Sequence, residues 1–354
     1  MNSETNDQMH LNHSGGVITT HSALSTQHSA LDDAWRAPAG DPPEELAIER
    51  DEPLARYTSF RIGGPADWLA RPADVPALRT ALAWARDEGL PVGVIGGGSN
   101  LIVSDRGVCG LAIVFRNERA PLGVAEEGDT VRLTVPAGRM LSNVARYCCE
   151  QGWAGFDWAV GLPGTIGGAV ANNAGAHGTE MIDNIATVTT MGPDGVERTH
   201  DREWLGARYR HTILRSPDPA ERPPGTVVVA VELRLTRGDR AALLALAEEH
   251  AEWRKEHQPR KPCAGSIFKN PPGTWAGLLI EEAGLKGYRV GGAQISPQHA
   301  NFIVNVGGAR GADVLAIIRH AQRVVRETRG IEMETEVEFV GDWTNADCGL
   351  RIAE

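Results

Sequence analysis

The segment CAGSIFKNP (263–271) places a hydroxyl, a cation and an amide within five residues. Ser266 lies among small and apolar neighbours, and Lys269 and Asn270 follow it. A hydroxyl beside a bound anion can donate a proton, and a nearby cation stabilises the negative charge left behind. An asparagine before a proline is also a common turn element, so the segment by itself favours a turn with an incidental serine.

Positive charge is concentrated around this segment. Arg254 and Arg260 precede it in a chain whose net charge is −11. Such a cluster suits an anionic ligand. A solvated helix end is the alternative for the two outer lysines. The chain has only four lysines, all within 32 residues: Lys255, Lys261, Lys269 and Lys286.

Two glycine-rich segments, 95–101 (IGGGSNL) and 161–178 (GLPGTIGGAVANNAGAHG), are the second chemical signal. Neither has the GxGxxG pattern between strand and helix, and no GK[ST] occurs, which argues against a Rossmann dehydrogenase and a P-loop ATPase. Glycine lacks a Cβ, so such segments bring backbone N–H groups against a phosphate or a flat ring. Two of them can clamp one nucleotide; a hairpin turn and a buried loop of small residues are the alternative.

The elements that must carry these groups alternate between helical and strand patterns. A domain boundary is expected near Arg237, before a strongly helical stretch. Helices are predicted at 74–89, 138–152, 239–257, 274–285 and 312–329. Strands are predicted on both sides of turns in 55–72 and 90–105, in short runs over 110–136, and at 185–191, 226–235, 300–306 and 333–340. The expected class is α+β.

Composition excludes several kinds of partner. The chain of 354 residues is 42% hydrophobic and 23% charged, as in soluble globular proteins, and its negative charge disfavours nucleic acid and anionic membrane surfaces. No run of 18 uncharged apolar residues beyond residue 45 predicts a helix that inserts into a membrane. Five cysteines without a CxxC pair suggest neither a disulfide framework nor a metal site, so we expect a cytoplasmic protein. Residues 1–45 lack the pattern of a signal peptide and are expected to form a disordered tail.

Six segments together resemble the UDP-N-acetylenolpyruvoylglucosamine reductase (MurB) family. They occur in the family's order and approximate spacing, between about residue 46 and residue 342: SFRIGGPAD, IGGGSNLIVSD, GLPGTIGGAVANNAGAHG, YRHTILR, GSIFKNP and METEVEF. The resemblance implies an FAD-binding domain of vanillyl-alcohol-oxidase (PCMH) type at 46–237, with two α+β subdomains split near 110–116. It also implies a MurB-type α/β substrate-binding domain at 238–354, whose last strand can return to the first subdomain.

The resemblance implies a reduction in peptidoglycan precursor synthesis. UDP-N-acetylglucosamine enolpyruvate becomes UDP-N-acetylmuramate as a hydride from NADPH passes through flavin N5 to enolpyruvyl C3 and a proton goes to C2. By the match, Ser266 donates the proton, and Arg210 and Glu336 stabilise the enolate. Residue patterns alone allow other roles: Arg210 as a strand-edge arginine, and Glu336, alternating with Glu334 and Glu338, on a solvated face.

The same match assigns the binding residues and implies a monomer. FAD is expected to be non-covalent, since no histidine lies between His28 and His177 to tether it in either loop. The substrate residues are Tyr209, Lys269, Asn270 and His299. The cofactor residues are Arg61, Gly96, Gly97, Gly98, Ser99, Asn100, Leu101, Gly161, Gly164, Thr165, Gly168 and Ala169.

The sequence departs from the family pattern at a few positions. Residues 211–262 contain no tyrosine, which resembles the branch (type II) that lacks a substrate-covering tyrosine loop. Glu338 stands where arginine is usual, and Thr212 where serine is common. A related FAD-linked oxidase or dehydrogenase would share the glycine segments but not GSIFKNP, and an inert sugar-nucleotide-binding protein would have lost Ser266 or Arg210.

Overall fold

A computed structural model of the chain describes residues 42–43, 46–216, 218 and 220–343. The predicted tail, residues 1–45, lies outside the described residues except for Pro42 and Pro43. Within the described part, helices combine with mostly antiparallel sheets, which confirms the α+β class. No helix there is long and apolar enough to cross a membrane.

The first subdomain is a four-stranded sheet in the order β1-β2-β5-β3 with a helix. Asp74 caps that helix by accepting from the N–H of Ala77 at 2.9 Å, as its sequence pattern predicts. The buried side of the helix includes Leu78 and Leu82. The elements are β1 (Ile48–Pro53), β2 (Pro65–Ala70), α1 (Val75–Asp87), β3 (Val92–Ile95), β4 (Leu101–Val103) and β5 (Val108–Val114).

The second subdomain is built on an antiparallel sheet in the order β12-β11-β13-β7-β6. Its central strand alternates buried and exposed residues because one face packs on the core. The elements are β6 (Gly123–Glu127), β7 (Thr130–Pro136), α2 (Leu141–Gln151), β8 (Trp153–Ala154), α3 (Ile166–Ala171), β9 (Gly175–Ala176), β10 (Thr179–Glu180), α4 (Met181–Asn184), β11 (Ile185–Met191), β12 (Glu197–Asp201) and β13 (Val227–Arg237).

The next helix, α5 (Arg240–His257), packs on the second subdomain. Its Leu243 and Ala247 belong to the same apolar core as Val144 of α2. The sequence-based boundary stood before this helix. From the packing we propose instead a boundary after His257, so that α5 belongs to the second subdomain.

The C-terminal part is an antiparallel sheet in the order β14-β17-β16-β15, covered by a long helix. That helix buries Val314, Ile317 and Ile318 against the sheet core. The elements are β14 (Cys263–Ser266), α6 (Ala276–Glu282), β15 (Arg289–Val290), β16 (Ala293–Ile295), β17 (Phe302–Asn305), α7 (Gly311–Arg329) and β18 (Glu338–Val340).

Three predicted elements differ from the observed ones. Leu54–Tyr57 forms a 3-10 helix where a strand was expected, because buried Leu54 is tied through its N–H to the carbonyl of Gly64. The glycine-rich segment contains α3, which Thr165 caps from its side chain. The last strand is shorter than predicted, since residues before Glu338 bond to loop residues after β14.

The two ends of the fold meet at β4. Strand β18 pairs in parallel with β4, in the register Phe339 to Ile102. The carboxylate of Asp105, just after β4, accepts from the first two N–H groups of α7, Gly311 at 2.7 Å and Ala312 at 3.0 Å. Helix N-termini need such acceptors, so Asp105 joins the C-terminal part to the first subdomain.

Asp105→Ala should remove both acceptors and lower the free energy of unfolding by about 1–2 kcal/mol. Urea unfolding followed by circular dichroism measures the change. Asp105→Asn, which retains one acceptor oxygen, is the control and should lose roughly half as much. Equal stability of Asp105→Ala and the parent protein would contradict this account of the junction.

Candidate active site

A cleft of about 1220 Å³ lies between the first two subdomains and the C-terminal part. Both glycine-rich segments, the end of α5 and the segment 258–266 line it. Every residue predicted to bind the cofactor lies in this lining, as do Arg210, Ser266, Glu336, Asn270 and His299. The structure therefore gathers in one cleft groups that are far apart in the sequence, from Arg61 to Glu336.

The glycine segments are in direct contact along one side of the cleft. A Cβ on Gly97 would lie 2.4 Å from the Cα of Gly164, and a Cβ on Gly96 would lie 2.4 Å from the Oγ1 of Thr165. Gly98 has a φ of +63°, and its own Cβ would clash with the carbonyl of Tyr57. Glycine is thus required at these positions by space and by conformation, and the cleft wall there is bare backbone.

Arg254 lies beside this wall without a neutralising partner among the described residues. Its Cδ is 3.1 Å from where a Cβ of Gly161 would be, its Nε is buried without a hydrogen-bond partner, and its Nη1 donates to Gln258 at 3.2 Å. Burial lowers the pKa of this guanidinium, with no carboxylate opposing the shift. A largely buried cation beside bare backbone fits an anionic ligand such as a pyrophosphate. Sequence analysis recognised Arg254 only as part of the positive segment.

Ser266 and Glu336 are brought together by backbone hydrogen bonds. The N–H of Glu336 donates to the carbonyl of Ile267 at 2.8 Å, and the N–H of Lys269 donates to the carbonyl of Glu334 at 2.9 Å. The side-chain amide of Asn100 donates to the carbonyl of Glu336 at 3.1 Å. The serine segment, the glutamate segment and the first glycine segment therefore form one rigid corner.

Arg210 and Glu336 form an ion pair inside the cleft. The Nε of Arg210 donates to the Oε1 of Glu336 at 2.8 Å, and the two side chains are only 16% and 14% exposed. Burial raises the pKa of the Glu336 carboxyl, and the guanidinium of Arg210 partly opposes that rise. The alternative of a solvated face for Glu336 is therefore wrong.

The turn that carries Arg210 is held by a residue that the sequence did not single out. Arg208 and His211 close the turn with two backbone hydrogen bonds, and Arg210 has a φ of +54°, which is strained for a residue with a Cβ. Buried Asn173 donates from its amide to the carbonyl of Arg208 at 3.0 Å. The Nη2 of Arg210 donates to the carbonyl of Gly175 at 2.8 Å.

The four predicted substrate residues divide into two groups. Asn270 and His299 line the cleft, although the Oδ1 of Asn270 also accepts from the N–H of Ala276 at the start of α6. Lys269 and Tyr209 do not line it. Lys269 pairs with Glu334 at 2.6 Å, and the ring of Tyr209 lies 4.9 Å below the guanidinium of Arg210.

Comparison with known proteins now decides the family. A family model for the C-terminal domain of UDP-N-acetylenolpyruvoylglucosamine reductase matches residues 258–340, and an FAD-binding-domain model matches residues 66–200. A reductase of that name from Nostoc punctiforme is 39% identical over 341 residues, which are 96% of this chain and 100% of the relative. The chain belongs to the UDP-N-acetylenolpyruvoylglucosamine reductase family.

Two further similarities agree with this membership. The reductase of that name from Anaeromyxobacter dehalogenans is 44% identical over 299 residues, 84% of this chain and 87% of the relative. The crystal structure of the reductase from Thermus caldophilus superposes with a TM-score of 0.69 at 36% identity, covering 83% of this chain and 99% of that one. The predicted architecture, an FAD-binding domain of PCMH type followed by a MurB-type domain, is confirmed.

The cleft has features that suit the FAD cofactor of this family. Bare backbone at both glycine segments leaves room for a pyrophosphate, and the guanidinium charge of Arg254, which no carboxylate among the described residues neutralises, suits that anion. The roles of the individual cofactor and substrate residues remain predictions.

Gly97→Ala should reduce bound FAD severalfold, because its Cβ would force the two glycine segments apart. Flavin absorbance per protein after purification measures the loss. Gly93→Ala is the matched control, since a Cβ at that strand position meets nothing within 4 Å. Full FAD content in Gly97→Ala would contradict the glycine cradle, by which we mean the FAD-binding wall formed by the two glycine segments, 95–101 and 161–178.

Proposed function

We propose that this protein reduces UDP-N-acetylglucosamine enolpyruvate to UDP-N-acetylmuramate with NADPH, through non-covalently bound FAD, in peptidoglycan precursor synthesis. The observation that carries the proposal is the meeting of Ser266, Arg210 and Glu336 in a cleft whose other wall is the glycine cradle. We further propose that it acts as a cytoplasmic monomer. Bound FAD supplies the hydride, taken from NADPH, for C3 of the enolpyruvyl group.

Arg210 is the group that holds the enolpyruvyl carboxylate as negative charge moves onto it. Glu336 and the carbonyl of Gly175 fix its Nε and Nη2 at 2.8 Å each. Its Nη1 is the least engaged donor, with partners at 3.5 Å on Asn173 and 3.7 Å on Glu180. A guanidinium positioned in advance stabilises developing charge without having to reorganise.

Glu336 contributes through its raised pKa. Its Oε1 accepts from Arg210, and burial favours the protonated form of the carboxyl. As an anion the carboxyl pairs with Arg210; because burial raises its pKa, it takes up a proton more readily than an exposed glutamate, and the protonated form donates a hydrogen bond to an enolate oxygen.

Ser266 is the proton donor to C2. Among the described residues its hydroxyl has no hydrogen-bond partner, whereas Ser59 in the same cleft is committed to the carbonyl of Cys263 at 2.6 Å. Ser266 is the last residue of β14 and not part of a turn, so a turn hydrogen bond does not explain its position. The enolate is basic enough to take the proton. Arg210 stabilises the negative charge on the substrate carboxylate during this transfer.

Non-covalent FAD is supported by the environment of His177, a histidine of the cleft wall. Its ring stacks on His250 with centroids 3.8 Å apart and meets Trp253 edge-on. Burial, followed by the neighbouring His250, lowers its pKa. The ring is thus engaged in packing against α5.

A spectroscopic cycle tests the proposed reaction against the oxidase alternative. The purified protein should be yellow, NADPH without oxygen should bleach it, and UDP-N-acetylglucosamine enolpyruvate should restore the oxidised spectrum. Reoxidation by oxygen alone would favour a related FAD-linked oxidase. A protein that never binds FAD would contradict both enzymes.

Ser266→Ala should lower turnover by roughly 10²–10⁴-fold, the usual contribution of a general acid, while FAD remains bound. NADPH should still bleach this variant at the normal rate, because only the second half-reaction needs the proton. Ser266→Cys, which keeps an acidic hydrogen, should retain more turnover than Ser266→Ala. Loss of flavin from both variants would support a structural role for the serine at the end of β14 instead.

A further inference from the structure

A second arginine–glutamate pair lies beside the first one. The Nη2 of Arg215 is 3.1 Å from the Oε2 of Glu338, and both side chains line the cleft. Glu338 follows Glu336 by two residues, with buried Val337 between them, and both glutamates line the cleft. The arginines come from one segment, five residues apart.

The second pair is held at both ends by the FAD-binding part. The Nη1 of Arg215 donates to the Oδ1 of Asn172 at 2.6 Å, at the end of α3. The N–H of Glu338 donates to the carbonyl of Asn100 at 2.9 Å. Arg215 is 21% exposed and Glu338 40%, so this second pair is more exposed to solvent than the Arg210–Glu336 pair.

We propose that Arg215 and Glu338 are a positioning pair: their ion pair locks the segment carrying Glu336 in place and cancels one of the cationic charges that face it. This rests on the role proposed for Glu336. Without the carboxylate of Glu338, Arg215 would compete with Arg210 for Glu336 and would favour the ionised form of Glu336. Glu338, where the sequence departs from the family pattern, keeps Arg215 occupied.

The charge around Glu336 comes from several elements. Arg210, Lys269 and Arg215 each lower the pKa of its carboxyl, against the larger opposite effect of burial. Besides Glu336, each of these three cations has another carboxylate within 4 Å. Those carboxylates are Glu180 near Arg210, Glu334 near Lys269 and Glu338 near Arg215.

Two substitutions break the same ion pair but change the charge in opposite directions. Glu338→Gln leaves Arg215 uncompensated, so the pKa of Glu336 should fall. Arg215→Gln removes a cation and leaves the Glu338 carboxylate uncompensated, so the pKa of Glu336 should rise. We expect shifts on the order of one pH unit in each case.

The pKa of Glu336 is to be measured in the FAD-loaded protein by NMR titration of ¹³C-labelled glutamate carboxyls. The resonance that Glu336→Gln removes identifies the residue. The pH limb of turnover that titrates with Glu336 should move the same way: to lower pH in Glu338→Gln and to higher pH in Arg215→Gln. The swap R215E/E338R should return both measurements toward the parent values, since the amide of Asn172 can turn to donate to the carboxylate that the swap introduces.

Matched controls come from Arg79 and Glu197, which pair at 2.8 Å away from the cleft. Arg79→Gln and Glu197→Gln should leave the Glu336 titration unchanged. Shifts of the same sign in Arg215→Gln and Glu338→Gln, or no shift in either, would overturn the proposal. The ion pair would then have only a structural role. Normal turnover in Ser266→Ala together with opposite NMR shifts would instead overturn the proposed function and leave the electrostatic coupling intact.

Discussion

The parallel pairing of β18 with β4 determines the arrangement of the whole cleft. Strand β4 follows directly on the first glycine segment. Its pairing with β18 therefore brings Glu336, two residues before β18, next to that segment. Asn100 strengthens this contact twice, because its carbonyl accepts from Glu338 and its side chain donates to Glu336. Without the pairing, Glu336 would lie on a C-terminal segment with no fixed distance to Arg210.

The Arg210–Glu336 pair is better explained by chemistry than by stability. Removing both charges from water costs about as much as their attraction returns, so a buried ion pair is weak support for a fold. Arg210 also has a strained backbone, and buried Asn173 is committed to holding its turn. A protein that maintains strain and buried charge at one place gains a guanidinium that is already oriented before the substrate arrives.

Local signals predicted most of the fold, and contacts between distant segments account for what was missed. Helices α1 and α5 follow from their apolar spacing and from Asp74 and Asp239, which cap them. The 3-10 helix at Leu54–Tyr57 depends on packing that no neighbouring residue in the sequence indicates.

For the site, glycine spacing located the glycine cradle, but the roles of Asn173 and Arg254 are defined only by partners far away in the sequence. The family match assigned Lys269 and Tyr209 to the substrate, yet neither lines the cleft. Lys269 pairs with Glu334, and Tyr209 lies in the turn before Arg210 with its ring against that guanidinium.

The alternating carboxylates of METEVEF show why sequence periodicity was misleading here. Alternation of charged and apolar residues normally indicates a strand with one face in water. In this protein the charged residues are paired with cations from two segments. Glu334 pairs with Lys269 of the C-terminal part, and Glu336 and Glu338 pair with Arg210 and Arg215, which come from one segment of the second subdomain. Exposure falls from 73% at Glu334 to 14% at Glu336 and rises to 40% at Glu338, so the middle carboxylate alone is desolvated. The outer two pairs keep their charges balanced and solvated, which leaves Glu336 as the one carboxyl in the row whose protonation the cleft can control.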